Sequence, residues 1–224
     1  MRYITTDELS DSHAFYHLGM AYKTGTSTGT PNDIPCDHRE SERLLRLASS
    51  LGHIGAKLVL AREYLHGINV ELDTAEAAHQ YYQAASLGNA EAAFELGCFY
   101  ITGIGVTISL ANALYWWKSS SYKKNKKAHE TLLLFYKWTN DISSLFDMGF
   151  TYKCMNLREF AIKFLRASAD LGHAESYYEL GILLSGGSAI EREEGIRWLH
   201  KASGNESGEW NEDLSDVEST DTYS

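Results

Sequence analysis

The chain has 224 residues, 44% of them hydrophobic, which is enough to bury a core in one or two compact domains or in one elongated array. Its formal net charge of −10 opposes contact with a phosphate backbone, so we expect no nucleic-acid partner. We find no N-terminal signal sequence and no apolar stretch long enough to cross a bilayer, which predicts a soluble, cytoplasmic protein without membrane insertion.

The predicted elements are helices that come in copies of a repeat. Leu60 and Gly67 recur 36 residues later as Leu96 and Gly103, while Asn-Gly and Asp-Gly hairpin turns are absent from the sequence. A period of this length is typical of arrays in which neighbouring units share one continuous core. We count five copies plus one fragment, which predicts an all-α solenoid of stacked antiparallel helix pairs.

The first copy is longer than the second. It begins at Leu18-Gly19 and ends at Leu51-Gly52-His53, whereas the second copy is anchored at Leu60 and ends at Leu87-Gly88-Asn89. The extra residues are placed in an inserted loop at 26–36, because both prolines lie there.

Each copy is predicted to hold a helix A and a helix B. In helix A of the third copy Ala92, Leu96 and Tyr100 share one apolar face, and Gly97 is expected to leave room for a neighbouring backbone. In helix B Tyr81, Trp116 and Trp117 are expected to fill the space between adjacent pairs.

The turn between the two helices is also predictable. Gly103 and Gly105 supply left-handed backbone positions, and Ser109, or Asp73 in the preceding copy, is placed to cap the next helix. Asp73 with Glu76 resembles a capping box. We therefore interpret the glycines as a helix turn rather than a phosphate-binding loop, since no strand precedes them.

The regular pattern is interrupted between Leu132 and Ala161. The interval from Leu132 to Met148 is short, so either one helix B is missing or residues 142–153 serve as helix B of one copy and helix A of the next. The interval from Tyr152 to Ala161 lacks room for the glycine turn. Two further copies follow, anchored at Met148-Gly149 and Leu180-Gly181.

The domain organisation follows from the same pattern. Residues 1–205 form the predicted repeat domain, and residues 206–224 carry seven Asp and Glu without any Lys or Arg. We expect this acidic tail to be disordered, because its hydrophobicity is low and its charge is high.

The residues from Ala90 to Val106, and those from Ala161 to Gly172, resemble the Sel-like repeat class, whose members are related to tetratricopeptide repeats. The resemblance implies a right-handed superhelix that binds a partner protein or peptide in its concave groove, acts as a non-enzymatic scaffold or adaptor, and needs no cofactor. A few secreted members bind β-lactams, and these resemble one another in having paired cysteines within each repeat.

If helix A lines the inner curve, as the resemblance implies, the groove positions lie two residues before and two after each Leu of the Leu-Gly anchors. Glu130 holds such a slot in the fragment, and Arg62, Lys137 and Lys153 are placed to meet acidic groups at the edge. The groove is predicted to consist of Tyr16, Met20, Leu58, Arg62, Phe94, Cys98, Leu134, Phe146, Phe150, Tyr178 and Ile182.

Signals for chemistry are weak by comparison. Cys36, Cys98 and Cys154 lie far apart, which weakens the alternative of an enzyme or small-molecule binder of the β-lactam-binding type. His13 and His17 have helical spacing but lack a third ligand nearby, so no metal site is predicted. We find no grouping typical of a nucleophilic catalyst.

Overall fold

The computed structural model of the protein describes residues 6–25 and 33–204. Within these ranges every regular element is a helix, as the sequence predicts. The helices are α1 (Thr6–Thr24), α2 (His38–Ser50), α3 (Ile54–His66), α4 (Thr74–Ser86), α5 (Ala90–Thr102), α6 (Leu110–Tyr122), α7 (Lys126–Thr139), α8 (Ile142–Cys154), α9 (Arg158–Asp170), α10 (Ala174–Ser185) and α11 (Ala189–Ala202).

The helices pack in pairs, and the pairs stack. Contacts within pairs join α1 to α2, α3 to α4, α5 to α6, α8 to α9, and α10 to α11, while α2 contacts α3, α4 contacts α5 and α9 contacts α10. The prediction of five copies plus one fragment is confirmed, with α7 as the fragment. We refer to α1, α3, α5, α7, α8 and α10 as the A helices and to α2, α4, α6, α9 and α11 as the B helices.

The chain divides into two compact units, Met1–Leu132 and Leu133–Ser224. The core of the first unit is built from small and large side chains in alternation, among them Ala56, Leu60, Ala92 and Leu96. In the second unit Ile162, Leu165 and Ala169 of α9 pack on Leu180 and Leu184 of α10. Burial of such side chains is the main term that stabilises each stack.

The interrupted region has a simple explanation. Helix α8 packs against α9, so residues 142–154 form helix A of the following copy. The turn between Cys154 and Arg158 is short, which confirms that the glycine turn is missing there. Residues 26–32 of the predicted insertion and residues 206–224 of the predicted tail lie outside the described part of the chain.

The predicted turn residues adopt the expected backbone. Gly103 ends α5 with φ 76°, and Gly105 follows with φ 67°. A Cβ on Gly105 would lie 1.9 Å from the carbonyl oxygen of Thr74, so glycine is required by space as well as by conformation. The turn therefore joins α5 to α6 and also packs on the start of α4.

Side chains cap α4 and α6 as predicted, but the capping box predicted at Asp73 is not formed. The Asp73 N–H donates to the Tyr64 carbonyl, and the Glu76 carboxylate accepts from Gln80. The Asp73 carboxylate accepts from the Glu76 N–H at 2.9 Å, and the Ser109 hydroxyl accepts from the Asn112 N–H at 3.3 Å. The reciprocal capping box is complete at the start of α11, where Ser188 and Glu191 exchange hydrogen bonds.

The role of the anchor glycine differs from the prediction. A Cβ on Gly97 would lie 2.4 Å from Cδ1 of Trp117, so this glycine makes room for an indole of α6 rather than for a backbone. Trp117 consequently fills its own pair, whereas Tyr81 of α4 meets Phe99 of α5 across adjacent pairs, with ring centroids 5.3 Å apart. The expectation for Tyr81 holds and that for Trp117 does not.

Candidate partner-binding face

The A helices carry all eleven predicted groove residues, and we call the surface formed by these slots the A-helix face. The two compact units present different versions of it. In the first unit the side chains at these positions mostly contact other residues of the same unit. In the second unit several apolar side chains remain exposed to solvent.

In the first unit the early slots belong to the packing between helices. Tyr16 of α1 stacks on the His53 ring with centroids 4.3 Å apart and an interplanar angle of 22°. Met20 and Leu58 are half-buried and pack against the core. These three predicted residues therefore join neighbouring copies to each other.

The remaining slots of the first unit are partly covered as well. Phe94 and Cys98 on α5 are half-buried. Burial raises the pKa of the Cys98 thiol, to which the Trp117 indole lies close. A raised pKa keeps the sulfur protonated at neutral pH, and a protonated thiol is a poor nucleophile. Cys98 thus behaves as a small apolar side chain.

Arg62 is exposed but it already has an acidic partner within the chain. Its guanidinium donates to Oε1 of Glu91, on the next A helix, at 3.0 Å. Lys23 of α1 pairs with Glu63 of α3 in the same manner, at 2.8 Å. Ion pairs thereby connect successive A helices in the first unit; the exposed Arg62–Glu91 pair adds little to stability, whereas Glu63 in the other pair is buried.

In the second unit α8 and α10 form a continuous surface. Phe146 of α8 stacks on His173, which precedes α10, with centroids 4.6 Å apart. Lys153 of α8 pairs with Glu179 of α10, and its ammonium lies 5.9 Å from the centroid of the Phe150 ring. The cation predicted to meet an acidic partner is thus already paired inside the chain.

The apolar slots around that ion pair are open. Phe150 is 42% exposed, Tyr178 is 55% exposed and Ile182 is 42% exposed. Exposed aromatic and branched side chains that lie together on adjacent helices are typical of surfaces that bind other proteins. Phe146 and Phe150 lie on α8 with ring centroids 6.0 Å apart, and the Lys153–Glu179 ion pair joins this helix to α10, which carries Tyr178 and Ile182.

Helix α7 exposes a further apolar pair. Leu134 is 68% exposed and Trp138 is 83% exposed, and their spacing of four residues places them on the same side of the helix. Trp138 was missed by the sequence analysis, because it falls outside the slots beside the anchor. The i, i+4 spacing from Leu134 was the signal that could have identified it. Glu130 and Lys137 on this helix are exposed.

Two histidines of the face were also missed as contact residues. His53 and His173 follow the Leu-Gly ends of two copies and stack on Tyr16 and Phe146, respectively. Nδ1 of His53 accepts from the Ala56 N–H at 3.1 Å and caps α3. Burial, together with the nearby charges of His13 and His17, lowers the pKa of His53. The imidazole is therefore held in its neutral form, which a cap acceptor requires.

Cysteines and clusters of metal-binding side chains are the groups in residues 6–25 and 33–204 that could support chemistry. Cys36 and Cys154 are exposed, Cys98 is half-buried, and all three are free thiols. No cluster of three or more His, Cys, Asp or Glu side chains that could hold a metal occurs in these ranges. None of the described helices has the length and apolar character needed to cross a membrane.

Comparison with known proteins agrees with this architecture. The Sel1 repeat family matches residues 12–53, 56–89, 90–125, 156–173 and 174–205. The stretch between the third and fourth matches contains α7 and α8, where the helix pattern is interrupted. No curated protein matches the chain.

Solved structures with related folds come from several bacteria. A Sel1 repeat protein from Oxalobacter formigenes is 27% identical over 57% of this chain and 92% of its own, with a TM-score of 0.50. A protective antigen of uropathogenic Escherichia coli strains, described as having an SLR fold, is 23% identical with a TM-score of 0.47. The match covers 88% of this chain but only 39% of that antigen.

A third solved structure, Helicobacter pylori cysteine rich protein B, is 19% identical over 55% of this chain and 95% of its own, with a TM-score of 0.42. The repeat matches cover most of the sequence; four of them coincide with observed helix pairs, and the match at 156–173 contains α9 alone. The chain therefore belongs to the Sel1 repeat family.

Proposed function

We propose that the protein is a non-enzymatic scaffold that binds a partner protein or peptide through the A-helix face of its second unit. The Sel1 repeat fold commonly serves protein interaction. The observation that carries the proposal is the exposed apolar group on α8 and α10, formed by Phe150, Tyr178 and Ile182.

A partner that binds this face would bury its exposed apolar side chains. Burial of apolar side chains that are exposed to water is favourable, by about 25 cal/mol per Å² of apolar surface buried. Aromatic side chains at the centre of a contact contribute most of the binding energy in protein interfaces. Phe150 and Tyr178 are the candidates for this role, with Ile182 beside Tyr178 on α10.

The charges on the face restrict the kind of partner. Lys153 is already paired with Glu179, so neither is free to attract a strongly charged segment. A partner helix with an apolar stripe, or an extended peptide with apolar side chains in alternation, matches this surface better. In the first unit Arg62 is likewise paired with Glu91, which leaves that part of the face as a flanking surface.

The test replaces Phe150 and Tyr178 together, as Phe150→Gln with Tyr178→Gln. Both side chains are exposed, so the helical content should stay unchanged by circular dichroism. In affinity capture from an extract of the source cells, with quantitative mass spectrometry, we expect recovery of a specific partner to fall by at least about tenfold.

The matched control changes two exposed tyrosines on B helices, as Tyr82→Gln with Tyr115→Gln. These residues border a groove of about 500 Å³ between α4 and α6. The control should recover the partner as the unaltered protein does. Equal recovery with both double variants would refute the proposed face, and loss in the control alone would move the binding site to the B helices.

A further inference from the structure

The first unit has a groove between α4 and α6, two successive B helices. Its volume is about 500 Å³, and Tyr100 of α5 contributes to its lining. Clefts that bind ligands have volumes of about 300–1,000 Å³, so the space is large enough for an occupant. We call this surface the B-helix groove.

Three aromatic rings form one part of the B-helix groove. The Trp116 ring centroid lies 5.6 Å from that of Tyr82 and 5.1 Å from that of Tyr115, and both tyrosine rings are inclined to the indole by 81°. Trp116 is buried, whereas both tyrosines are exposed. The two tyrosine rings are therefore open to contact with an occupant.

Polar side chains form the rest of the groove, namely Ser86, Asn112, Ser119 and Lys123. Within the part of the chain that the structure describes, these four side chains have no hydrogen-bond or ion-pair partner. None of the described residues that line the groove is acidic. The groove thus offers an occupant several unused hydrogen-bond donors and one positive charge.

One copy earlier, between α2 and α4, the chain's own side chains use the corresponding groups. Helices α2, α4 and α6 begin at residues 38, 74 and 110, so their positions correspond at intervals of 36. Arg46 pairs with Glu42, and its guanidinium lies 5.3 Å from the centroid of the Tyr64 ring. Gln80 accepts from the Ser49 hydroxyl at 2.9 Å. These polar groups are therefore satisfied within the chain.

The charge of the groove changes between the two copies. Glu76, whose carboxylate accepts from Gln80 at 2.8 Å, corresponds to Asn112 in the next copy. Leu87 corresponds to Lys123. Relative to the preceding groove, the B-helix groove has lost a carboxylate and gained an ammonium group. It consequently favours an occupant with negative charge at the end where Lys123 lies.

The length of the groove suits a short extended peptide. Asn112, Trp116, Ser119 and Lys123 are spaced i, i+4, i+7 and i+11 along one side of α6. At a rise of about 1.5 Å per residue they span about 16 Å. A peptide in the polyproline II conformation rises about 3.1 Å per residue, so about five of its residues fit along the groove.

The chemistry of the groove also matches such a peptide. Proline-rich segments dock in aromatic-lined grooves, because the preformed polyproline II helix loses little entropy on binding. Proline has no N–H, so the backbone of the peptide presents mainly carbonyl acceptors. The hydroxyls of Ser86 and Ser119 and the amide of Asn112 can donate to these carbonyls.

We infer that the B-helix groove binds an acidic, proline-rich peptide in the polyproline II conformation. Its prolines pack against Tyr82, Tyr115 and Trp116, and an Asp or Glu of the peptide pairs with Lys123. This surface is separate from the A-helix face of the second unit. The chain then holds two partners on different helices, which goes beyond the binding proposed above.

Chemical-shift titration of the isotope-labelled full chain tests the inference with the peptide EPPPPPE. A glutamate at each end lets either chain direction bring a carboxylate to Lys123. At about 150 mM salt, which screens the net charge of the protein beyond about 8 Å, the peptide should shift amide signals of α4 and α6 and the indole signal of Trp116. The peptides KPPPPPK and EGSGSGE should bind at least about tenfold more weakly, since one has the wrong charge and the other is flexible.

Variants of the protein separate this groove from the A-helix face. Tyr82→Gln with Tyr115→Gln should weaken binding of EPPPPPE by at least about tenfold. The matched control, Phe150→Gln with Tyr178→Gln, should bind the peptide as the unaltered protein does. Lys123→Glu should reverse the preference between EPPPPPE and KPPPPPK.

Three results would overturn the inference. They are the absence of shifts with EPPPPPE, equal binding of the three peptides, and undiminished binding to the Tyr82 and Tyr115 double variant. Loss of binding in the Phe150 and Tyr178 variant alone would place the peptide on the A-helix face and would likewise reject the B-helix groove.

Discussion

His53 joins two functions in a single side chain. Its Nδ1 accepts the Ala56 N–H and so caps α3, and its ring stacks on Tyr16 of α1. The cap depends on a neutral imidazole, and the stacking contact depends on a correctly oriented ring. Burial is the largest cause of the lowered pKa of His53, followed by the charges of His13 and His17.

This arrangement predicts a pH dependence of stability. Because the pKa of His53 is lower in the folded state than the ordinary 6.5, its contribution is fully present above pH 6.5 and is lost as the pH falls through the folded pKa. His53→Asn keeps a capping side chain, as Asn89 does for α5, but cannot titrate.

Urea unfolding between about pH 7.5 and about pH 5 should show a smaller decline in the free energy of unfolding for His53→Asn than for the unaltered protein. Parallel declines in the two proteins would mean that another group is responsible.

At the scale of the helices, close approach of helix A to helix B depends on a missing side chain. Gly97 faces the Trp117 indole, Gly149 faces Leu165, and Gly181 faces Leu199. In each pair a glycine on helix A meets a large side chain on helix B. The complementary sizes fill the space between the helices without a void.

Gly97→Ala is therefore expected to destabilise the protein. The added Cβ would lie 2.4 Å from Trp117, so the indole must move. Overpacking of this kind lowers the free energy of unfolding by about 1–3 kcal/mol, which exceeds the gain in helix propensity. The control is Gly186→Ala, at a position with no neighbouring atom within 4 Å.

Chemical denaturation of both variants measures the difference. We expect Gly186→Ala to change the free energy of unfolding by less than about 0.5 kcal/mol. Equal stability of the two variants would show that Trp117 adapts without cost.

At the scale of the molecule, the helices contact mainly their neighbours in the sequence. Helix α9 contacts α8 and α10, and α4 contacts α3 and α5. Stability in such an array is approximately a sum of local terms, so damage in one copy is expected to remain near that copy. The two compact units divide the chain accordingly.

Leu165→Ala tests this locality. Leu165 is fully buried between α8 and α10, and loss of its side chain should cost about 2–5 kcal/mol. Hydrogen exchange should accelerate in α8 to α10 and remain unchanged in α3 to α5. Uniform acceleration along the whole chain would indicate that it unfolds as one cooperative unit.

Much of the fold could be read from the sequence because its signals are local. Apolar spacing along a helix, the glycines at positions 103 and 105, and the caps at Asp73 and Ser109 act within a few residues, and each appears in the structure as predicted. The function of Gly97 was misread, because spacing alone does not tell which atoms approach a glycine.

The sequence determined the repeat, its helix pairs and the positions that form the A-helix face, since these depend on periodicity and on local backbone preferences. Only the tertiary structure decided which of those positions remain exposed. Phe94 and Phe146 are half-buried whereas Tyr178, in the equivalent slot of α10, is exposed, and Arg62 is paired with Glu91. Burial depends on neighbours from other copies, and equivalent slots have different neighbours.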